Sequence, residues 1–233
     1  MKAASSPFIV MAHRGARGPA PENTLAAFER AVELGAPWIE LDVQLHAGSL
    51  FVFHDRTLDR CTNGHGRLTD HPAGYLRGLD AGRGERIPYL SEVLDRVQRR
   101  ARINIELKTG GDTFAAVAEV LDVYLQRGWQ PEEFLVSSFL LPQLRDFKRR
   151  LPQIPIGVLM TGVPLDLAAC ASELKAAALG LDLDFLDPAL IADAQRRGLK
   201  VYVYTVNHPD DIARMREMRV DGIFTDYPER ALP

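Results

Sequence analysis

Short apolar runs alternate with amphipathic stretches along most of the chain, the pattern of a parallel sheet with crossover helices. The runs fall at residues 8–12, 38–43, 50–53, 102–107, 134–137, 154–159, 176–181, 200–205 and 222–225. Helix signals lie between most of them. Residues 23–34 put Leu25, Phe28 and Val32 on one face and stop before Gly35, Ser91 caps a helix running to Ala101, and Asp112 caps one over 113–127 that Gly128 ends. Further helices are predicted at 142–151, 165–177, 188–197 and 209–218, the last two with Pro at or near the first turn. This order predicts an α/β TIM-type (β/α)8 barrel. Nine runs compete for its eight strand positions. The surplus is local to 38–53, where about six residues join two runs, fewer than a helical parallel crossover needs. Either that crossover lacks its helix or one run lies outside the barrel.

Residues 55–88 break the rhythm, being rich in Gly, Arg and Asp, and loops of that length are usually functional or disordered. They read as a small insertion after the third strand segment, over one mouth of the barrel, within a single domain spanning 1–233. No internal repeat or low-complexity tract interrupts it.

Composition narrows the class. The 233 residues are 46% hydrophobic and 25% charged, enough for a full core without covalent staples. With 28 basic and 31 acidic residues the net charge is −3, and no cluster of Lys or Arg suggests nucleic acid. The run at 8–12 is too short for a signal peptide, and no stretch approaches the roughly 18 apolar residues of a membrane span. Cys61 and Cys170 stand far apart in unlike contexts and fit a reducing compartment, so a cytoplasmic location is expected.

Buried parallel strands should be apolar, yet several of these runs end in charge. Residues 8–12 lead into His13-Arg14-Gly15, Trp38-Ile39 into Glu40-Leu41-Asp42, 50–53 into His54-Asp55, and Ile103-Asn104-Ile105 into Glu106-Leu107-Lys108; 200–205 ends in Val206-Asn207 and 222–225 in Asp226. Residues two apart on a strand share a face, so Glu40 pairs with Asp42 and Glu106 with Lys108, while Leu41 and Leu107 point outward. The C-terminal rim is where barrel enzymes keep their sites. Three carboxylates gathered there need a cation, and an all-oxygen set of Glu40, Asp42 and Glu106 suits Mg²⁺ or Ca²⁺. His13 and His54 could serve as acid and base near neutral pH. Arg14 and Lys108 supply fixed positive charge for a phosphate oxyanion. Taken singly, each feature has a plainer reading: a polar strand edge, a satisfied core histidine, Lys108 neutralising Glu106, Arg14 pairing with Glu22. His46, His65, His71 and His208 read as polar-loop histidines. The coincidence of several strands ending in acid, base or cation favours function, because a structural protein would carry a costly cluster of buried charge.

At these residues the chain resembles the glycerophosphodiester phosphodiesterase family almost end to end. His13-Arg14-Gly15 with Pro21-Glu22-Asn23-Thr24, Glu40-Leu41-Asp42-Val43, His54-Asp55, Asp59-Arg60-Cys61-Thr62-Asn63-Gly64, Glu106-Leu107-Lys108, Ser137-Ser138-Phe139, Thr205-Val206-Asn207 and Asp221-Gly222-Ile223-Phe224-Thr225-Asp226 follow in the family's order. Each is short, but the ordered set is specific, and the short insertion and missing signal resemble the small cytoplasmic bacterial members more than the larger periplasmic ones. The resemblance implies hydrolysis of glycerophosphodiesters to glycerol 3-phosphate and an alcohol. It implies one divalent cation per chain on Glu40, Asp42 and Glu106, acid–base work by His13 and His54, and phosphate contacts from Arg14 and Lys108. Cys61 stands where Thr is usual and Tyr204 where Trp is usual, a difference that bears on substrate preference. The rivals are a lysophospholipase D or other lipid phosphodiesterase on the same barrel, a non-catalytic barrel that binds phosphorylated metabolites, and a sugar-phosphate isomerase. The first lacks an exposed aromatic cluster or basic amphipathic helix for a bilayer. The second is disfavoured by the presence of both histidines, and the third would not need both beside a phosphate clamp.

Overall fold

The computed structural model describes residues 7–232; the N-terminal stretch with Lys2, and Pro233, lie outside the described residues. In chain order the strands are β1 (Ile9–Ala12), β2 (Trp38–His46), β3 (Ser49–Val52), β4 (Arg102–Leu107), β5 (Phe134–Ser138), β6 (Ile156–Met160), β7 (Ala178–Asp182), β8 (Lys200–Tyr204) and β9 (Gly222–Thr225). The helices are α1 (Leu25–Glu33), α2 (Ala73–Gly78), α3 (Leu90–Val97), α4 (Thr113–Gln126), α5 (Leu141–Arg150), α6 (Ala169–Glu173), α7 (Pro188–Arg196) and α8 (Pro209–Glu217). The sheet runs β1-β9-β8-β7-β6-β5-β4-β2, and β1 pairs with β2 to close eight parallel strands into a TIM-type barrel.

The surplus run is β3, and it lies outside the barrel. β2 is nine residues long, and past its pairing with β4 it continues into an antiparallel ladder with β3 from Val43↔Val52 to His46↔Ser49. Ala47 and Gly48 turn the chain with φ of 47° and 73°, the left-handed pair of a tight hairpin. His46 therefore closes a strand instead of sitting in a loop.

Alternation along each strand divides the core. Ile39, Leu41, Ile103, Ile105, Leu107 and Val136 face outward against the buried faces of the surrounding helices, among them Phe28, Leu94, Leu121 and Phe147. Met11, Trp38, Leu135, Ala178, Tyr202 and Phe224 fill the barrel interior. The segment between β3 and α3 carries its own apolar cluster, in which Leu58, Leu68, Leu76, Leu79 and Ile87 pack on Phe51 and Phe53. It is ordered by burial despite its polar composition.

Three helix expectations are corrected. α3 starts at Leu90, where Glu92 Oε2 accepts the Tyr89 N–H at 2.7 Å, so Ser91 is inside the helix; positive φ at Gln98 and Arg99 ends it before Ala101. Asp112 precedes α4 without a side-chain cap, and Thr113 Oγ1 donates to the Gly110 carbonyl at 3.0 Å instead. The helix expected over 165–177 shrinks to the five residues of α6. Leu167 takes φ 54° and Leu165 is fully exposed, so the apolar pattern there does not trace a buried face.

Candidate active site

The mouth is built from turns that bring polar groups back over the barrel. β1 ends at Ala12, the His13 N–H donates to the Thr225 carbonyl at 2.9 Å, and the chain then turns sharply with φ 53° at Arg14 and 79° at Gly15. A Cβ at Gly15 would lie 2.7 Å from Ala27, so a side chain there is excluded by both φ and space. The turn points the Arg14 N–H at Glu40 Oε2, 2.9 Å away. Asn23, also at positive φ, donates from Nδ2 to Asp42 Oδ2 at 2.9 Å, one residue before Thr24 caps α1 through the Ala27 N–H.

Glu40, Asp42 and Glu106 come together as the strand period requires, with one carboxylate oxygen of each within 4.8 Å of the others, all buried. Their charges are not equally tolerated. Burial and repulsion from Asp42 and Glu106 push Glu40 well above the ordinary carboxylate range. Burial and Asp42 push Glu106 up to about 7 against the pull of Lys108, whose Nζ lies 2.8 Å from its Oε1. Asp42, despite its own burial, is held low by Arg14 and Lys108. Glu40 Oε1 and Asp42 Oδ1 are buried and find no hydrogen-bond partner in the protein. Two unpartnered carboxylate oxygens, with Glu106 beside them, fit a hard divalent cation.

Both histidines reach the mouth, from different elements: His13 from β1, and His54 just beyond β3, outside the barrel. Each has Nδ1 on a carboxylate, His13 on Asp226 Oδ1 at 2.7 Å and His54 on Asp55 Oδ1 at 2.5 Å. An imidazole that gives its Nδ1 proton to a carboxylate turns Nε2 toward the mouth. His13 Nε2 is 3.9 Å from Glu40 Oε2. Burial lowers both histidines below their ordinary value, against the pull of Asp226 and Asp42 respectively.

Arg14 and Lys108 are present but engaged. Arg14 Nη1 donates to Glu22 at 2.7 Å and its Nε lies 3.3 Å from Asp42, so the plainer reading of this residue as a partner of Glu22 is also realised. Arg60 then grips Glu22 at 2.7 Å and Asp55 at 2.6 Å, closing a chain from Asp42 through Arg14, Glu22, Arg60 and Asp55 to His54. Sequence reading left Asn23, Asp55, Arg60, Asn207 and Asp226 without roles. Asn207 holds Asp226 from both sides, with Nδ2 to Oδ2 at 2.8 Å and Oδ1 accepting the Asp226 N–H at 2.8 Å.

These groups face a cavity of about 140 Å³, whose other wall is Phe139, Leu159, Tyr204 and Phe224. A wider groove of about 740 Å³ leads out past His54, Lys108 and Phe139 along Asp55, Arg56 and Thr57. Phe139 and Leu140 after β5, Val163 and Leu165 after β6, and Phe185 after β7 stand exposed beyond the C-terminal ends of their strands. Sequence patterning, which suggested no exposed aromatic cluster, did not register this apolar rim.

A closed parallel barrel with acids, bases and cations at the C-terminal ends of its strands is the architecture of a barrel enzyme. The model of the glycerophosphoryl diester phosphodiesterase family matches residues 13–230, and the chain belongs to that family. Membership makes it an enzyme of the phosphodiesterase class. A glycerophosphodiester phosphodiesterase of Caldanaerobacter subterraneus subsp. tengcongensis is 39% identical over 230 residues, 95% of each chain. The structure is similar to that of an Oleispira antarctica phosphodiesterase in complex with the product sn-glycerol-3-phosphate, at a TM-score of 0.90 and 32% identity, covering 97% of this chain and 95% of that one. It is also similar to a glycerophosphodiester phosphodiesterase of Thermotoga maritima, at a TM-score of 0.78 and 27% identity, covering 96% of each. Among the described residues no helix is long and apolar enough to cross a membrane.

Proposed function

We propose that this chain hydrolyses glycerophosphodiesters to sn-glycerol 3-phosphate and an alcohol, using His13 and His54 for proton transfer and Arg14 and Lys108 to hold the phosphate. The observation that carries the reading is the pair of imidazoles, each backed by a carboxylate, opening on one cavity lined also by Glu40 and Glu106 of the acidic cluster and by two cations. The product held by the Oleispira relative supports the same chemistry.

Glu40, Asp42 and Glu106 would hold one Mg²⁺ or Ca²⁺ ion, which when bound offsets charge on the non-bridging oxygens of the diester. The protein's own groups do the rest. Burial lowers both imidazoles, so one, in its neutral form, can accept the proton of the nucleophile at Nε2. The other must be protonated to deliver a proton to the leaving alkoxide, and its carboxylate partner favours that form. Each such transfer typically contributes roughly 10²–10⁴-fold. Asp226 and Asp55 fix the ring orientations, with Asn207 and Arg60 fixing the carboxylates in turn. Arg14 and Lys108 exchange part of their contact with Glu22, Asp42 and Glu106 for the phosphate.

The wide groove beside Arg56 and Thr57 suits the leaving alcohol, and we read residues 55–88 as an insertion that forms one side of it within a single domain. Two free, partly buried cysteines support a reducing, cytoplasmic setting. The exposed rim of Phe139, Leu140, Val163, Leu165 and Phe185 favours one second reading, a lipid phosphodiester whose acyl chain lies along it. Enzyme-coupled detection of glycerol 3-phosphate from glycerophosphocholine and of choline from lysophosphatidylcholine, each with and without EDTA, tests both. The main reading requires rapid, chelator-sensitive turnover of the first, whereas release of choline from the second alone would establish the other.

A further inference from the structure

Asn104 occupies a position where a buried parallel strand favours apolar side chains. It is 1% exposed, flanked by Ile103 and Ile105, and neither its Nδ2 nor its Oδ1 finds a hydrogen-bond partner in the protein. A buried amide in that condition is costly unless something else completes it. The group lines the 140 Å³ cavity and enters it from the same strand as Glu106, one inward-facing position deeper in the barrel. It is level with Glu40 in the parallel register. Across the cavity Leu159 and Phe224 are apolar, and Tyr204 turns its hydroxyl away to donate to the Met160 carbonyl at 2.9 Å, leaving its ring to the cavity.

What completes the amide follows from its chemistry. It offers a donor and an acceptor side by side in one plane. A cation would take only Oδ1 and strand the N–H groups. A phosphate oxygen would take only Nδ2 and strand Oδ1. Two hydroxyls on adjacent carbons satisfy both, one accepting and the other donating, and their C–H faces match the apolar wall. We propose that the Asn104 carboxamide grips the vicinal hydroxyl pair of the glycerol half of the substrate and sets the preference for glycerol esters over other phosphodiesters. The proposal rests on the reading of the activity given above and adds to it the residue that reads glycerol. It does not depend on which way the amide is turned, since both atoms lack partners.

The test is calorimetric binding of sn-glycerol 3-phosphate and of propyl phosphate, which has the same carbons and no hydroxyls, to the Mg²⁺-supplied protein. Wild type should prefer glycerol 3-phosphate by at least roughly tenfold, because a site built to bond hydroxyls discriminates strongly against an analogue that lacks them. In Asn104→Leu, alike in branching though bulkier and unable to hydrogen-bond, the preference should fall to within about twofold while propyl phosphate binds as before. Asn104→Ala serves as the second variant if the leucine is not accommodated, and thermal melts confirm the fold of each. A preserved preference overturns the proposal. So does an equal loss for both ligands, which would assign the amide to the ion or the phosphate, and so does a wild type with no preference. Failure of wild type to release glycerol 3-phosphate from glycerophosphocholine is a separate result, and it overturns the reading of the activity itself.

Discussion

Removing a carboxylate from the acidic cluster should stabilise the metal-free protein, and Glu106→Gln is the substitution that shows it. Glu106 is held at about 7 by burial and by Asp42, even with Lys108 at 2.8 Å. Its value in the unfolded chain is the ordinary 4.5. Between these values the folded state binds a proton that the unfolded state does not, so stability falls as pH rises from about 4.5 through about 7 and levels off above. A difference of that size corresponds to about 3 kcal/mol as an upper figure at 1.36 kcal/mol per pH unit. For a chain of this length it is roughly 6–12 °C in Tm. Glutamine resembles the protonated acid in shape and charge. In EDTA at pH 8 the variant should therefore melt above wild type by up to that amount, and the two should converge near pH 4.5. With excess Mg²⁺ the order should reverse, because only wild type keeps the full ligand set and gains binding free energy. Paired thermal melts across pH, with and without chelator, measure this directly. A variant that melts below wild type in EDTA at pH 8 would show that Lys108 over-compensates the buried charge, and the reasoning from strain to metal binding would fail.

Four further outcomes follow from the same geometry. His13→Ala and His54→Ala should each lower kcat by roughly 10²-fold or more. Because burial holds both imidazoles below their ordinary 6.5, the acid limb of kcat/KM should lie below pH 6.5, and a limb above it in a pH–rate profile would contradict the assignment. Arg60→Met cuts the link between Glu22 and Asp55, and should reduce kcat about tenfold with little change in Tm, since loss of orientation costs rate before stability; unchanged kcat would remove Arg60 from the account. Choline, ethanolamine and glycerol esters should differ by no more than about tenfold in kcat/KM, roughly 1.4 kcal/mol, because the 740 Å³ groove proposed for the alcohol is wide; a strong preference in steady-state assays would show that residues 55–88 read the alcohol.

Parts of this architecture are visible in one dimension and parts are not. Glu40, Asp42, Glu106 and Lys108 were legible because a strand alternates with period two and because charge within an apolar run contradicts burial. The barrel was legible for the same reason, its outward Leu41 and Leu107 marking the helix-facing side. The place of β3 was not, since an apolar run of four residues reads alike in either direction and only the ladder with β2 shows it to be antiparallel. His13 and Asp226 are 213 residues apart, so each could be noticed as a strand end while their 2.7 Å contact could not. The helix expected at 165–177 failed because Leu165 is apolar yet exposed, and periodicity cannot separate a rim residue from a core one. Asn104 carries its own signal in the sequence, a neutral amide between two isoleucines where a buried strand disfavours it.

The central claim concerns which bond is broken and by what site. The most direct measurement is ³¹P NMR, with ¹H NMR of the same sample, of glycerophosphocholine incubated with the enzyme and Mg²⁺. The account requires the diester resonance to be replaced by that of sn-glycerol 3-phosphate, with free choline in equal amount and no conversion in EDTA. Appearance of phosphocholine and glycerol, or undiminished turnover in EDTA, would contradict it.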